Sequence, residues 1–295
     1  MTPVSLYNTG AGFAPVKEGP CLVSTLNGKD FDARASATEL VKARRAAGWF
    51  EEYPGSPPPD LQAAYRCQDE AIGLWNDRVA GWKVGWISEP LSEKFGAQRL
   101  VGPIFERSLR RADGAVAIEV PVFARGFAAI EAEFVFQLAK DAPANVGDWS
   151  AETARGFVKG MFVGIEIASS PLRNINDFGP AVVVSDFGNN AGLLVGPEIA
   201  DWQSRALDSL RCESRIDGAV VGRGTAASVD GGPLSALAFA LRCNSLRGRP
   251  LRAGDYVTTG AATGVHEIAV GQTAEAHFNG VGTLRCVPVP MTPVT

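Results

Sequence analysis

Apolar residues recur at helical spacing in the segment before residue 80. Thr38 is a candidate cap for a first helix that runs through Ala47, and the run Pro57–Asp60 ends one segment and caps the next. In the second helix, apolar side chains repeat at intervals of three, four or seven: Leu61, Tyr65, Ile72, Trp75 and Val79. Gly81 then suits the C-terminal cap of this helix.

From residue 81 onward, short alternating runs are separated by Gly and Pro, which is typical of strands. The predicted strands are 81–87, 131–138 and 161–167, the predicted helices are 150–159 and 233–246, and the tail forms hairpins that turn at Asn279-Gly280. Residues 1–30 are predicted to be an irregular arm. The pattern therefore predicts an α+β chain with an arm and helical region at 1–80 and a β-rich body at 81–295.

Composition narrows the class of protein. The chain has 295 residues, 46% of them hydrophobic and 20% charged, which is ordinary for a soluble globular enzyme. A net charge of -4 without a basic cluster argues against a nucleic-acid partner. The five cysteines are scattered and form no Cys-x-x-Cys pair, which favours reduced thiols. The sequence shows neither a signal peptide nor an apolar window of about 18 residues. We therefore expect a cytoplasmic protein without a membrane partner.

The run AAIEAEFVFQL at 128–138 places two acids in an apolar strand. Alternation puts Ile130, Ala132 and Phe134 on one face of the strand, whereas Glu131 and Glu133 share the other. Two like charges about 6.6 Å apart along a half-buried strand repel each other unless positive charge lies between them. Water with a nearby Arg could supply that charge, and so could a metal ion.

A third acid, Glu166, lies in the apolar stretch 164–170. Three carboxylates on inward-facing strands match the oxygen ligands that Mg²⁺ or Mn²⁺ takes, with positions left for water or substrate. The alternative is that Glu131 and Glu133 only line a solvated face of the sheet.

Lys83 is flanked by Trp82 and Val84 in a predicted strand. A partly buried ammonium is expected to have a depressed pKa, so that it can move protons or orient an anion. The alternatives are a lysine that extends to solvent along the strand or one that pairs with an unrelated acid.

Five motifs together resemble the 2-oxopent-4-enoate (2-keto-4-pentenoate) hydratases of the fumarylacetoacetate hydrolase superfamily. They are Gly81-Trp-Lys-Val-Gly85, Glu131-Ala-Glu133, Glu166-Ile167 leading to Ser170, Asp186-Phe-Gly-Asn-Asn-Ala-Gly192 and Gly254-Asp-Tyr-Val-Thr-Thr-Gly260. The resemblance covers about residues 60–290. It implies a mixed β-sandwich roll, Mg²⁺ or Mn²⁺ on Glu131, Glu133 and Glu166, and Lys83 as the residue that handles protons.

The resemblance also implies a small 2-oxo acid substrate, a metal-stabilised enolate and assembly into a homo-oligomer, for which Trp49, Trp149 and Trp202 are candidate apolar surface residues. The substrate-binding candidates are Ser170, Asn190, Thr259 and Gly260. Such an enolate is an intermediate in the hydration reactions of aromatic catabolism. It is equally an intermediate in decarboxylation of an oxalocrotonate-like acid and in carbon–carbon hydrolysis. A non-catalytic, metal-bound ligand-binding protein is the alternative from another class.

Departures from the family pattern bear on the substrate. Ser169, Ser170 and Pro171 stand where relatives show Asp-Ser-Arg, so a carboxylate and a guanidinium are missing, and Ala261 replaces a hydroxyl. Hydrolases of the superfamily are expected to use a His–Glu pair before the metal motif, whereas this chain has only His266, predicted in a loop, and His277, predicted on a strand.

Overall fold

Residues 31–294 are described by the computed structural model, in which two mixed β-sheets carry short helices. The predicted arm at 1–30 lies outside the described residues. Within the described range, the helices are α1 (Ala33–Arg45), α2 (Leu61–Leu74), α3 (Leu91–Phe95), α4 (Ala151–Arg155), α5 (Pro180–Ser185) and α6 (Pro233–Leu246). Short 3-10 turns lie at Glu106–Ser108, Ile175–Phe178, Phe187–Asn189, Trp202–Ser204, Leu207–Ser209 and Ala226–Ser228. The strands are β1 (Val79–Trp86), β2 (Arg99–Phe105), β3 (Leu109–Arg111), β4 (Ile118–Val122), β5 (Phe127–Leu138), β6 (Val158–Ser170), β7 (Asn190–Glu198), β8 (Arg211–Ile216), β9 (Ala219–Thr225), β10 (Tyr256–Thr258), β11 (His266–Glu267), β12 (Ala274–Phe278) and β13 (Gly282–Pro290).

The larger sheet has the strand order β2-β1-β10-β5-β6-β7-β3, and β11 adds to β5. The smaller sheet has the order β4-β13-β12-β8-β9. Both are mixed, because β1 with β10, β3 with β7, and β4 with β13 are parallel pairs among antiparallel ones. The predicted α+β class with a mixed-sheet body is confirmed.

Strand β5 separates the core from the functional face. Its Ile130, Ala132, Phe134, Phe136 and Leu138 are buried on one side, as the alternation predicts. On that side the Phe134 ring lies 5.7 Å from the ring of Phe278 on β12, so the two sheets meet there. Glu131 and Glu133 point to the opposite side of the larger sheet.

The helix ends correct two predictions. Asp32, not Thr38, caps α1, since its carboxylate accepts from two backbone amides, whereas the Thr38 hydroxyl donates to the carbonyl of Arg34. Asp60 caps α2 as predicted. Gly81 is not a helix cap: α2 ends at Leu74, and Gly81 lies in β1, where a Cβ would overlap the backbone of the neighbouring strand β10.

The C-terminal elements mostly match their local signals. Helix α6 has the predicted bounds, with a proline in its first turn, and β12 and β13 form the hairpin that turns at Asn279-Gly280. Helix α4 is shorter than predicted because Gly156 ends it and Val158 already begins β6. His266 lies in β11, paired with Ile130 of β5, and not in a loop.

Buried side chains correct the surface expectations. Trp202 is 8% exposed and its ring lies 5.3 Å from that of Phe136, so it is not an apolar surface residue. The thiols of Cys67, Cys212 and Cys286 are buried, and burial raises the pKa of each to about 12. No helix within residues 31–294 is long and apolar enough to cross a membrane.

Candidate metal centre

Three carboxylates meet on one face of the larger sheet. Glu131 of β5 stands directly opposite Glu166 of β6 in the antiparallel register, and Glu133 faces Gly164 two positions along. Glu133 and Glu166 are fully buried and Glu131 is 6% exposed. One oxygen from each carboxylate lies within 4.8 Å of the others, so three oxygens surround a single point.

The two oxygens of Glu133 have different surroundings. Oε2 accepts the backbone amides of Thr259 (2.7 Å) and Gly260 (2.5 Å), whereas Oε1 is buried and, among the described residues, has no hydrogen-bond partner. Burial, with Glu166 and Glu131 nearby, raises the Glu133 pKa well above its usual range. A buried carboxylate oxygen without a donor is rare, and a cation would complete its coordination.

Glu166 is held by side chains from two other segments. Asn190 Nδ2 donates to Glu166 Oε1 (3.1 Å), and the Thr258 hydroxyl reaches Glu166 Oε2 at 3.5 Å. Such hydrogen bonds fix the direction in which a ligating carboxylate presents its oxygens. Burial raises the pKa of neighbouring Glu131 to about 7, an effect that Lys83 opposes.

Lys83 reaches this cluster from β1. Lys83 is only 4% exposed, and its ammonium lies 3.3 Å from Glu166 Oε1 and donates to Asn189 Oδ1 over 3.3 Å. Burial lowers the Lys83 pKa, but the charges of Glu166, Glu131 and Glu133 outweigh it and raise the pKa to about 12. The expected depressed pKa is therefore wrong for this arrangement, because burial was considered without the carboxylates.

The predicted substrate-binding residues divide into two groups. Asn190, Thr259 and Gly260 all contact the carboxylates, although the Thr259 hydroxyl donates to the Phe134 carbonyl (2.8 Å). The Ser170 hydroxyl instead donates to Asp186 Oδ2 (2.6 Å) and accepts the Leu172 amide. A direct role of these four residues in substrate binding stays a prediction, and the Ser170 contacts do not support it.

Sequence reasoning missed a buried ion pair behind the cluster. Arg44 of α1 binds Asp186 through Nε to Oδ1 (2.5 Å) and through Nη2 to Oδ2 (2.9 Å), and both side chains are almost fully buried. Arg44 also donates to the carbonyl of Ser169. A guanidinium and a carboxylate thus lie beside Ser169 and Ser170, where the sequence suggested that both were missing.

The turn after Asp186 joins this pair to the cluster. Phe187, Gly188 and Asn189 all have positive φ, at 56°, 65° and 56°. For a bulky residue such as Phe187 this conformation costs roughly 1–3 kcal/mol and persists only where its surroundings impose it. Asn189 contacts Lys83, and this contact too was not found from the sequence, because no local pattern marks a turn of this type.

The donor set defines the chemistry available here. Carboxylate oxygens suit hard divalent cations such as Mg²⁺ or Mn²⁺, and the unpartnered Glu133 oxygen fits such an ion. A buried ammonium beside the three acids can hold or transfer a proton. The residues present therefore suit a metal-assisted reaction of an anionic substrate.

Comparison with known proteins supplies the family. The profile described as "Fumarylacetoacetate (FAA) hydrolase C-terminal" matches residues 105–288. A 2-keto-4-pentenoate hydratase of Burkholderia vietnamiensis is 29% identical over 260 residues, which are 86% of this chain and 92% of that protein. A 4-oxalocrotonate decarboxylase of a Pseudomonas species is 27% identical over 210 residues, 70% of this chain and 77% of that protein.

Among solved structures, the 4-oxalocrotonate decarboxylase of Pseudomonas putida G7, complexed with magnesium and adipate, superposes with a TM-score of 0.73. The match covers 87% of this chain and 97% of that one at 19% identity. The likeness shows a shared fold.

Proposed function

The chain belongs to the fumarylacetoacetate hydrolase family, and on that premise we propose that it is a divalent-metal-dependent hydratase or related lyase acting on a small 2-oxo acid. One observation carries the proposal: three buried carboxylates and one buried ammonium converge on a single point. Buried charges are expensive and persist where a partner or a ligand uses them.

Glu131, Glu133 and Glu166 would hold the ion, and the ion would be Mg²⁺ or Mn²⁺. When bound, such an ion supplies positive charge that polarises the keto and carboxylate oxygens of a 2-oxo acid. The chain's own residues set the ligand directions: Asn190 fixes Glu166, and the amides of Thr259 and Gly260 fix Glu133.

Lys83 would handle the proton. Its Nζ lies beside the carboxylates, and Asn189 Oδ1 fixes its position. Gain or loss of a proton at carbon 3, next to the keto group, interconverts the 2-oxo acid and its enol, and hydration, the reverse dehydration and decarboxylation of a vinylogous oxo acid all pass through such an enolate. With its pKa raised to about 12, Lys83 is an ammonium that can donate that proton. It could accept a proton only after positive charge at the carboxylates had lowered its pKa.

Decarboxylation of an oxalocrotonate-like acid is the second candidate, which the similarity to a 4-oxalocrotonate decarboxylase supports. A Cβ at Gly85 would lie 3.1 Å from the Leu100 side chain and 3.6 Å from Lys83 Nζ, so an apolar side chain and the ammonium both border the space above Gly85. Loss of carbon dioxide leaves the electron pair of the broken carbon–carbon bond in a dienolate, which takes up one proton and needs no activated water. Carbon–carbon hydrolysis is disfavoured, since the chain has two histidines, one in β11 and one on β12, both after residue 260.

We further propose a cytoplasmic homo-oligomer of aromatic catabolism with a small-molecule substrate and no nucleic-acid or membrane partner. The hydratase relatives support the substrate class. Size-exclusion chromatography with light scattering would test the assembly.

The deciding experiment is product analysis with purified protein and Mg²⁺. 2-Hydroxypenta-2,4-dienoate should be converted to 4-hydroxy-2-oxopentanoate if the chain is a hydratase, whereas 4-oxalocrotonate should release carbon dioxide if it is a decarboxylase. Glu133→Gln provides the site control, and both reactions should stop on chelation of the metal. Metal binding without turnover of either acid would instead support the non-catalytic ligand-binding alternative.

A further inference from the structure

The ion pair of Arg44 and Asp186 is built as a fixed anchor. Arg44 presents Nε and Nη2 to the two carboxylate oxygens. Nη2 also reaches the carbonyls of Ser169 (3.1 Å) and Asp186 (3.1 Å), and Nη1 donates to the carbonyl of Asn190 (3.1 Å). Its guanidinium also lies 5.1 Å from the centre of the Phe187 ring. A planar fork bound on so many sides has one orientation.

Asp186 transmits that orientation to the next four residues. The first three, 187–189, form the positive-φ turn, and Asn190 begins β7. A Cβ on Gly102 of β2 would overlap the Phe187 carbonyl, so the turn lies directly on the larger sheet. The turn then presents Asn189 to Lys83 and Asn190 to Glu166. Two side chains of the candidate centre are thus held by one short segment.

We propose that Arg44 is a positioning residue: through Asp186 and the 187–190 turn it fixes Lys83 and Glu166 in the geometry that proton transfer requires. The inference rests on the proposed function, because the effect on rate presumes that Lys83 transfers a proton. Arg44 comes from α1, so the N-terminal helical region contributes to a centre whose other residues lie in the β-rich body.

The bidentate contact of Arg44 with Asp186 distinguishes a positioning role from charge compensation alone. Lysine would keep the positive charge but could not bind both Asp186 oxygens and three carbonyls in a plane. Arg44→Lys should therefore preserve folding better than it preserves rate. Removal of the guanidinium alone leaves a buried carboxylate unpaired and is strongly destabilising, so Arg44→Gln is best combined with Asp186→Asn, which removes both charges.

The test measures deuterium exchange at carbon 3 of 2-oxopentanoate in heavy water with Mg²⁺. We compare wild type, Arg44→Lys, the double variant Arg44→Gln/Asp186→Asn, and Arg45→Ala, a matched control whose exposed guanidinium donates to the Leu74 carbonyl. Thermal unfolding establishes the folded fraction of each. Crystal structures of the folded Arg44 variants report the position of the turn.

For folded Arg44→Lys and for the double variant we expect kcat at saturating Mg²⁺ to fall about 10²-fold, in line with a misplacement of about 1 Å, while KM for the acid changes less than threefold. Arg45→Ala should match wild type. Wild-type kcat in the folded variants would overturn the proposal, and so would an unmoved turn that keeps Asn189 at 3.3 Å from Lys83. Absence of metal-dependent exchange in wild type would count against the proposed function, and the crystal structures would then still decide whether Arg44 places the turn.

Discussion

Replacement of Glu133 by Gln tests the metal centre most directly. Glutamine keeps the shape of the side chain and can still accept the amides of Thr259 and Gly260 through its oxygen. It removes one charge from the buried cluster and places an amide group where Oε1 now has no partner among the described residues. The variant therefore changes the charge of the site with little change of shape.

The expected effects on the metal-free and metal-bound protein have opposite signs. At the 4.8 Å that bounds the separation of the ligand oxygens, two like charges repel by about 3 kcal/mol at an effective dielectric constant of about 20. Glu133 has two such neighbours and one attractive partner, Lys83. The metal-free variant should therefore gain up to about 3 kcal/mol of stability at a pH high enough to ionise Glu133, whose pKa is raised well above its usual range. Its affinity for Mg²⁺ should fall at least about 10²-fold, because loss of even an outer partner of a ligand costs about 10- to 100-fold.

Calorimetric titration with Mg²⁺ and Mn²⁺ measures the affinity, and thermal unfolding with and without a chelator measures the stability. Glu119→Gln, which removes an exposed charge on β4, is the control and should change neither quantity. Unchanged affinity for both ions in Glu133→Gln, with unchanged metal-free stability, would refute the assignment of this carboxylate to the centre.

Four further outcomes are expected. Lys83→Ala should still bind Mg²⁺ but lose exchange at carbon 3, and wild-type exchange rates in this variant would remove the residue from the mechanism. In metal-free protein the Glu131 contribution to the unfolding free energy should fall by about 3 kcal/mol as pH rises from 4.5 to about 7, since its raised pKa makes the folded state bind more protons than the unfolded one in that range. Glu133, whose pKa is also raised, should add to this loss, and a pH-independent urea midpoint there would contradict the prediction. Oxalate should bind only with metal, as calorimetry with and without a chelator can show. If no second proton carrier is present, 2-hydroxypenta-2,4-dienoate should be hydrated with a kcat about 10²-fold below the usual range for enzymes. A kcat of about 1 to 10³ per second would show that the substitutions after Glu166 are compensated. Gly102→Ala should lower kcat and stability together because its Cβ would displace the Phe187 carbonyl, whereas Gly55→Ala, at a glycine with open space around it, should show only the cost of its positive φ, by the same two measurements.

Local patterns were enough for the elements whose signals are local. The alternation in 130–138 placed Glu131 and Glu133 on one face, and the proline and glycine that flank 233–246 gave the bounds of α6. Local patterns were not enough at Gly81. Helical spacing continues through Trp75 and Val79 by chance, but the segment that contains Val79 and Gly81 is a strand because it pairs with β2 and β10.

Other parts of the centre depend on contacts between distant segments. Arg44 and Asp186 are 142 residues apart, so no local pattern could pair them, and the substitutions at 169–171 alone suggested that the charges had been lost. The Lys83 pKa has the same origin. Burial can be inferred from neighbouring residues, but the three carboxylates that reverse its effect come from β5 and β6.

The position of β10 has a consequence for how the protein is made. This strand lies between β1 and β5 in the larger sheet, yet it comes near the C-terminal end of the chain. During synthesis, Lys83 and the three glutamates therefore leave the ribosome long before β10, the strand that joins β1 to β5, has been made. Until residue 258 is synthesised these charges can stay hydrated, and a chain cut short before β10 would lack both the strand and the Thr259 and Gly260 amides that bind Glu133. A chain that ends before β10 should therefore bind metal more weakly than one that contains this strand and the two amides.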